Sequence, residues 1–182
     1  MTPNLIIRKV EFEDLPTLSE TAIRSYKDHF LHLWEDGGEN YMNRSFEIKN
    51  LTEDWSNPNH EYYLAFWENQ PVGYLKLRIN SPLEGCENLN ALELERIYLI
   101  KEAQGKKNGK SLIINTLDIA KENQKELVWL RVMDTNTASL EFYKRMGFEI
   151  CGTDILNAPF VKKGFEGMLV MKKVLLSRTP DP

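Results

Sequence analysis

The pattern of apolar and polar residues predicts mostly strands in the N-terminal half of this chain, and a strand–loop–helix–strand unit in the C-terminal half. Leu5 to Val10 reads as a short strand. Asp14 is placed to cap a helix, with Pro16 in its first turn. Leu15, Leu18, Ala22 and Tyr26 follow at helical spacing, and that helix is predicted to end before Phe30. From His32 to Pro58 the pattern is poor; Gly37-Gly38 interrupts it, and one further helix is predicted over Tyr41 to Leu51. The aromatic-rich stretch Glu61 to Trp67 and the stretch Val72 to Ile79 predict a hairpin about a turn at Glu68-Asn69-Gln70-Pro71. Ser81 to Asn90 reads as a loop and Leu92 to Leu99 as a third strand. Leu112, Ile113, Thr116, Leu117 and Ala120 mark one face of a helix after the loop Gln104 to Gly109. Leu127 to Val132 is a strand, and Ser139 to Met146 a short helix that Gly147 ends in the left-handed conformation. Phe148 to Thr153 and Gly167 to Leu176 close the chain as strands. The sum is an α/β (α+β) mixed sheet with helices on its faces.

Composition narrows the class. With 182 residues, 42% hydrophobic and 27% charged, the chain reads as one globular domain that needs no staples. It has no apolar run of about 18 residues, so no membrane partner is expected. Met1 to Arg8 holds three adjacent apolar residues before a charge and reads as a first strand, not a signal peptide. Two cysteines, Cys86 and Cys151, make no disulfide framework and fit a reducing cytoplasm. A net charge of −4 argues against a nucleic-acid partner and leaves cationic small molecules open as substrates. His29, His32 and His60 have no metal-ligand spacing with the cysteines, so no metal is expected; His29 and His32 are surface or pocket-lining residues.

The chemistry concentrates in the loop before the second long helix. Its backbone N–H groups and the positive end of the helix suit a phosphate, and Lys106, Lys107 and Lys110 add charge; a merely solvated loop is the alternative. Gly109-Lys110-Ser111 imitates the end of a nucleotide-binding P-loop, but the first glycine of that motif would fall at Gln104, and Gly105 leaves three residues before Gly109. The loop is one residue too short for those contacts.

The same residues carry a family resemblance. Gln104-Gly105-Lys106-Lys107-Asn108-Gly109-Lys110-Ser111-Leu112 resembles motif A of the GNAT N-acetyltransferases, Q/R-x-x-G-x-G/A. Glu95-Arg96-Ile97-Tyr98-Leu99 is similar to that family's splayed central strand. Asn136 to Phe148 resembles motif B, with its N-x-x-A…F-Y-x-x-x-G-F ending. The resemblance runs from Tyr62 to Leu175, and more loosely the whole chain is similar to the PaiA-type polyamine acetyltransferases, which share the stretch L-E-x-E-R-I-Y. Two positions depart from the pattern: Lys107 stands at the middle glycine of motif A, and Ser139 at the alanine of motif B.

The resemblance implies a GNAT acyl-CoA N-acyltransferase fold over residues 1–182, with a mostly antiparallel twisted sheet and helices on both faces. Residues 1–60 would supply the first strand and acceptor-side helices, and 61–176 the acetyl-CoA-binding core. It implies an enzyme moving acetyl from acetyl-CoA to a primary amine, a polyamine such as spermidine or spermine being one candidate. A homodimer is compatible with it. Glu93 is placed as the base, with Glu95 on the same strand face or a water as alternatives, and each carboxylate is equally readable as a salt-bridged strand residue. Tyr143 is placed as proton donor to the leaving thiolate, or else as a core aromatic. Backbone groups of Ile97, Tyr98 and Leu99 would hold the pantetheine arm, and an N–H at or near Leu99 the thioester oxygen. Gln104, Gly105, Lys106, Lys107, Asn108, Gly109 and Lys110 would hold the pyrophosphate. Asn136 would bind pantetheine or simply cap its helix. Tyr26, Phe30, Trp34 and Tyr41 are pocket or core. The competing reading is a CoA-binding regulatory module without turnover.

Overall fold

The computed structural model describes residues 5–175, so Met1–Asn4 and the expected strand residue Leu176 lie outside it. One sheet holds β1 (Ile6–Lys9), β2 (His60–Trp67), β3 (Gln70–Arg78), β4 (Ala91–Leu99), β5 (Leu127–Met133), β6 (Glu149–Ile155) and β7 (Gly167–Val174). Their order is β1-β2-β3-β4-β5-β7-β6. Every neighbouring pair is antiparallel except β4 and β5. The parallel step is where a helix must cross over, and α4 (Asn108–Glu122) does so. Helices α1 (Leu15–His29), α2 (Glu39–Phe46) and α3 (Ile48–Trp55) cover one face, burying Leu18, Ala22, Phe46 and Leu51 against Tyr62, Leu64 and Tyr74. On the other face α4 and α5 (Thr137–Arg145) bury Leu112, Ile113, Ala120 and Leu140 against Leu75, Leu77, Leu92 and Val128.

Three local expectations need correction. The single helix over Tyr41 to Leu51 is two, because Glu47 takes an extended ψ of 138°. The break lets Phe46 and Leu51 both reach the core, and Ser19 Oγ donates to the Phe46 carbonyl at 2.6 Å. Asp14 precedes α1 but does not cap it; its carboxylate holds Arg8 and the Glu11 N–H. The hairpin turn is tighter than expected: Glu68 and Asn69 both have positive φ, so Gln70 and Pro71 already belong to β3.

Two irregularities in β4 prepare the site. It pairs with β5 only through Ala91, Leu92 and Glu93, after which β5 turns its hydrogen bonds to β7 alone. Against β3, Lys76 faces Arg96 and Leu77 faces Leu94, so Glu95 is the extra residue of a β-bulge.

Candidate active site

The loop after β4 sets up the first half of the site. A 3-10 turn at Lys101–Ala103 leads to Gln104, then Gly105 at φ 75° and Lys107 at φ 65°, ψ 4°. Lys107 adopts the left-handed backbone itself, at a cost of about 1–2 kcal/mol for a non-glycine residue. The N–H groups of Asn108, Gly109 and Lys110 open α4 without intrahelical partners; Ser111 is the first to reach back, to the Lys107 carbonyl. Asn108 is buried, and its Nδ2 donates to the Ala103 carbonyl at 2.9 Å, so its side chain ties the loop from inside. Lys106 is spread 5.5 Å over the Trp67 ring, while Lys107 and Lys110 stand exposed. Gly109 faces α5, where a β-carbon would sit in ordinary contact with the Phe142 ring at 3.5 Å.

The parted strands supply the second half. Ile100 donates to the Val72 carbonyl on β3, so by strand alternation the N–H and C=O of Leu99 point the other way, into the gap toward β5. A cavity of about 440 Å³ lies there, bounded by Leu99, Gln104, Asn136 and Ala138. His29 and His32 line it as well. His29 Nε2 lies 3.0 Å from the Leu99 carbonyl and 2.9 Å from the Gln104 amide, donating to the first or accepting from the second according to its tautomer.

A second cavity of about 250 Å³ adjoins the first and shares Ile97, Tyr98, Met133, Asn136 and Ser139 with it. Tyr26, Phe30, Trp34 and Tyr41 line this one, although Tyr26 and Trp34 are also buried members of the core. Glu93, Glu95 and Tyr143 face it too. Glu93 is 2% exposed, and burial pushes its carboxyl above the ordinary carboxylate range against the pull of Arg131 and Arg78. Its oxygens meet Arg131 at 2.5 Å and Ser81 Oγ, which donates at 3.0 Å. Glu95 differs. Burial pushes it up, but Arg96, Lys76 and Arg78 outweigh that and hold it below its ordinary value.

Tyr143 is buried between the Phe142 and Phe148 rings, and burial raises its phenol, so the proton stays on at neutral pH. Its hydroxyl makes no hydrogen bond among the described residues. Asn136 caps α5: its Oδ1 accepts from the Ser139 N–H at 3.1 Å, and its amide nitrogen is left to donate to a ligand.

Three residues at the site were not singled out as site residues from the sequence. Arg131 was legible as a charge interrupting an apolar strand and Arg96 as part of the central-strand stretch, while Ser81 carried no distinguishing pattern. Among the described residues, no group of three or more His, Cys, Asp and Glu is placed to hold a metal, no helix is long and apolar enough to cross a membrane, and both cysteines are free.

A strand parted from its parallel neighbour beside an open helix N-terminus is the arrangement the resemblance implied. Residues 18–148 match the acetyltransferase (GNAT) family model. The chain belongs to the GNAT acetyltransferases. A spermidine N(1)-acetyltransferase of Thermoplasma acidophilum is 29% identical over 153 residues, covering 81% of this chain and 90% of that protein. The crystal structure of a PaiA N-acetyltransferase from the same organism, in complex with coenzyme A, superposes with a TM-score of 0.75 at 27% identity, covering 94% and 99% of the two chains. A putative acetyltransferase from Salmonella typhimurium shares the fold at a TM-score of 0.69 and 19% identity, covering 97% and 98%. The mixed sheet with helices on both faces is thus the GNAT fold, and in this acetyltransferase the two adjoining cavities share Ile97 and Tyr98 of the parted strand.

Proposed function

We propose that the chain transfers the acetyl group of acetyl-CoA to a primary amine of a small molecule. The observation that carries this reading is the junction of the two cavities at Ile97, Tyr98, Asn136 and Ser139, where β4 leaves β5. The residues suit the cosubstrate. Backbone groups on the gap side of β4, among them the Leu99 N–H, match an arm rich in amides, although the Leu99 carbonyl already meets His29. The open end of α4 with Lys107 and Lys110 matches a pyrophosphate. When bound, acetyl-CoA supplies a thioester carbonyl activated toward amines.

The chain's residues then divide the work. Aromatic walls, including Tyr26 stacked on Tyr41 at 4.8 Å, exclude water from the acceptor. An aliphatic amine with a pKa near 10.4 is about 0.1% neutral at pH 7, so a base must take its proton. Glu93 has the raised carboxyl that this task requires, and a proton relayed through water can reach it between Ser81 and Arg131. The Leu99 N–H, directed into the gap, stabilises charge on the thioester oxygen. Tyr143, protonated and unpaired, donates to the departing thiolate.

The experiment is thiol release from acetyl-CoA against a panel of primary amines. The name of the archaeal relative puts spermidine in that panel, and spermine stands beside it as a second polyamine. Amine-dependent release is expected. Tight acetyl-CoA binding with no release on any amine would instead make the chain a cofactor-binding module.

A further inference from the structure

The carboxylate placed as the base sits in a closed ring of contacts that leads to a second carboxylate. Arg131 Nη1 donates to Glu93 Oε1 at 2.5 Å, and Arg131 Nε donates to Asp154 Oδ2 at 2.5 Å. The guanidinium lies 4.6 Å from the centre of the Trp129 ring. Trp129 Nε1 donates to the Ser81 carbonyl at 2.8 Å, and Ser81 Oγ donates to Glu93 at 3.0 Å. Arg131 is thus fixed in place and divided between two acids. They differ in setting: Glu93 is 2% exposed at the acceptor-side cavity, and Asp154 is 41% exposed on the outer strand β6.

Asp154 is not a neighbour-strand partner of Arg131. Arg131 of β5 pairs with Val170 of β7, and Asp154 of β6 pairs with Met168 of β7. The arginine therefore reaches over β7 to find it. An ion pair this exposed adds little to stability, but it bears directly on the proton of Glu93. An arginine in contact with a carboxylate lowers its pKa by about 1–3 pH units, which makes a poor base. Asp154 draws on the same guanidinium, and its own charge opposes another negative charge nearby. It stays ionised at neutral pH, because the Ile155 N–H and then Arg131 hold its carboxyl below the ordinary value. The other charges facing Glu93 do less. Arg78 of β3 stands farther off, at 3.6 Å, and Glu95 of β4 is held by Lys76 and Arg78. Arg131 is the cation in closest contact, and Asp154 sets how much of it Glu93 feels.

We propose that Asp154 is a positioning residue for the transfer: by sharing Arg131 it withholds part of that cation from Glu93, the group that receives the proton of the amine. This rests on Glu93 as the base in the acetyl transfer proposed above. Asp154 lines neither cavity, so it acts at a distance, through Arg131.

The test reads Glu93 directly. Carbon-13 NMR of carboxyl-labelled protein follows its titration, its resonance being the one lost in Glu93→Gln. Asp154→Asn should lower the midpoint by roughly half a pH unit, and Arg131→Gln should raise it by about one pH unit or more. Asp154→Glu keeps the charge and should restore most of the wild-type midpoint. The acid limb of kcat/KM, read by thiol release with the primary amine that the panel turns over fastest, should move with the carboxyl in each variant. In the Glu93→Gln background, Asp154→Asn should leave the rate profile where it is. Unchanged midpoints, or midpoints that move the same way in both variants, would overturn the proposal and make Asp154 a tie for β6 that affects melting temperature alone. A carboxyl that shifts while the rate profile stays put would overturn Glu93 as the base, and the control of its proton by Asp154 would stand. The titration needs no acceptor, so it decides the proposal even if no amine releases thiol. Melting temperatures establish which variants fold, and the exposed Asp154 carries the decision if Arg131→Gln does not.

Discussion

A β-carbon on Gly73 would overlap the Tyr98 carbonyl oxygen and stand 2.7 Å from a Leu99 methyl. The absence of a side chain in β3 thus permits the close approach of β4 where its other edge is open. Gly73→Ala must push the strands apart, at a cost of about 1–3 kcal/mol for an overpacked site. Melting temperature and acetyl-CoA affinity should fall together, because the displaced backbone is the one that faces the gap. Gly85→Ala is the comparison. Nothing lies within 4 Å of its β-carbon, so only the strain of φ 77° is felt, and cofactor affinity should hold.

For the base, Glu93→Gln should lower kcat/KM at pH 7 and recover part of the loss at higher pH, where more acceptor is neutral. Glu95→Gln should affect turnover less. A larger effect at Glu95 would move the assignment two residues along the strand, to the bulge residue. An unchanged pH profile in both would leave the proton to bulk water.

The two carboxylates should also titrate stability in opposite senses. Glu93, raised above its ordinary 4.5, binds more protons folded than unfolded, so its contribution is present at low pH and is lost as pH rises through its folded value. Glu95, held below 4.5, contributes above that value and loses the contribution as pH falls through its lower folded value. Glu93→Gln should therefore make stability rise more steeply with pH above 4.5. Glu95→Gln should flatten the acid loss below it. Denaturant melts across this range check both signs.

Tyr143→Phe keeps the ring between Phe142 and Phe148 and removes only the hydroxyl. A thiolate is already a fair leaving group, so the loss in kcat should sit at the low end for a general acid, roughly 10- to 100-fold. Acetyl-CoA affinity should hardly move. Normal turnover with an altered melting temperature would return Tyr143 to the core.

Changing Lys106, Lys107 and Lys110 together to alanine should weaken acetyl-CoA binding and flatten its salt dependence, since exposed charges act through a screened field. Lys107→Gly separates charge from geometry. It relieves the left-handed strain, so stability should rise by up to about 1 kcal/mol while the salt response drops. Unchanged affinity and salt response in the triple variant would remove the loop from the site.

Much of this protein was legible in one dimension because local rules govern it. Strand alternation located β2 to β5, and helical spacing located α1 and α4. The loop Gln104 to Lys110, the strand Glu93 to Leu99 and the motif around Asn136 and Tyr143 could be named as a group because each is a contiguous stretch with its own pattern. The break at Glu47 was not legible, because Phe46 and Leu51 needed a core to turn toward. Nor was the role of Asn108, which became internal only once Ala103 lay beneath it. Above all, the state of each charge was decided in three dimensions. Glu93 and Glu95 look alike as alternate residues of one strand, yet Ser81 and Arg131 come from distant segments to clamp the first, while Lys76 and Arg78 hold the second. The bulge that turns Arg96 inward is a mismatch between two strands, and one strand's sequence does not contain it. Propensity and periodicity are properties of neighbours in the chain, whereas burial, ion pairing and register belong to residues that meet only when the sheet closes.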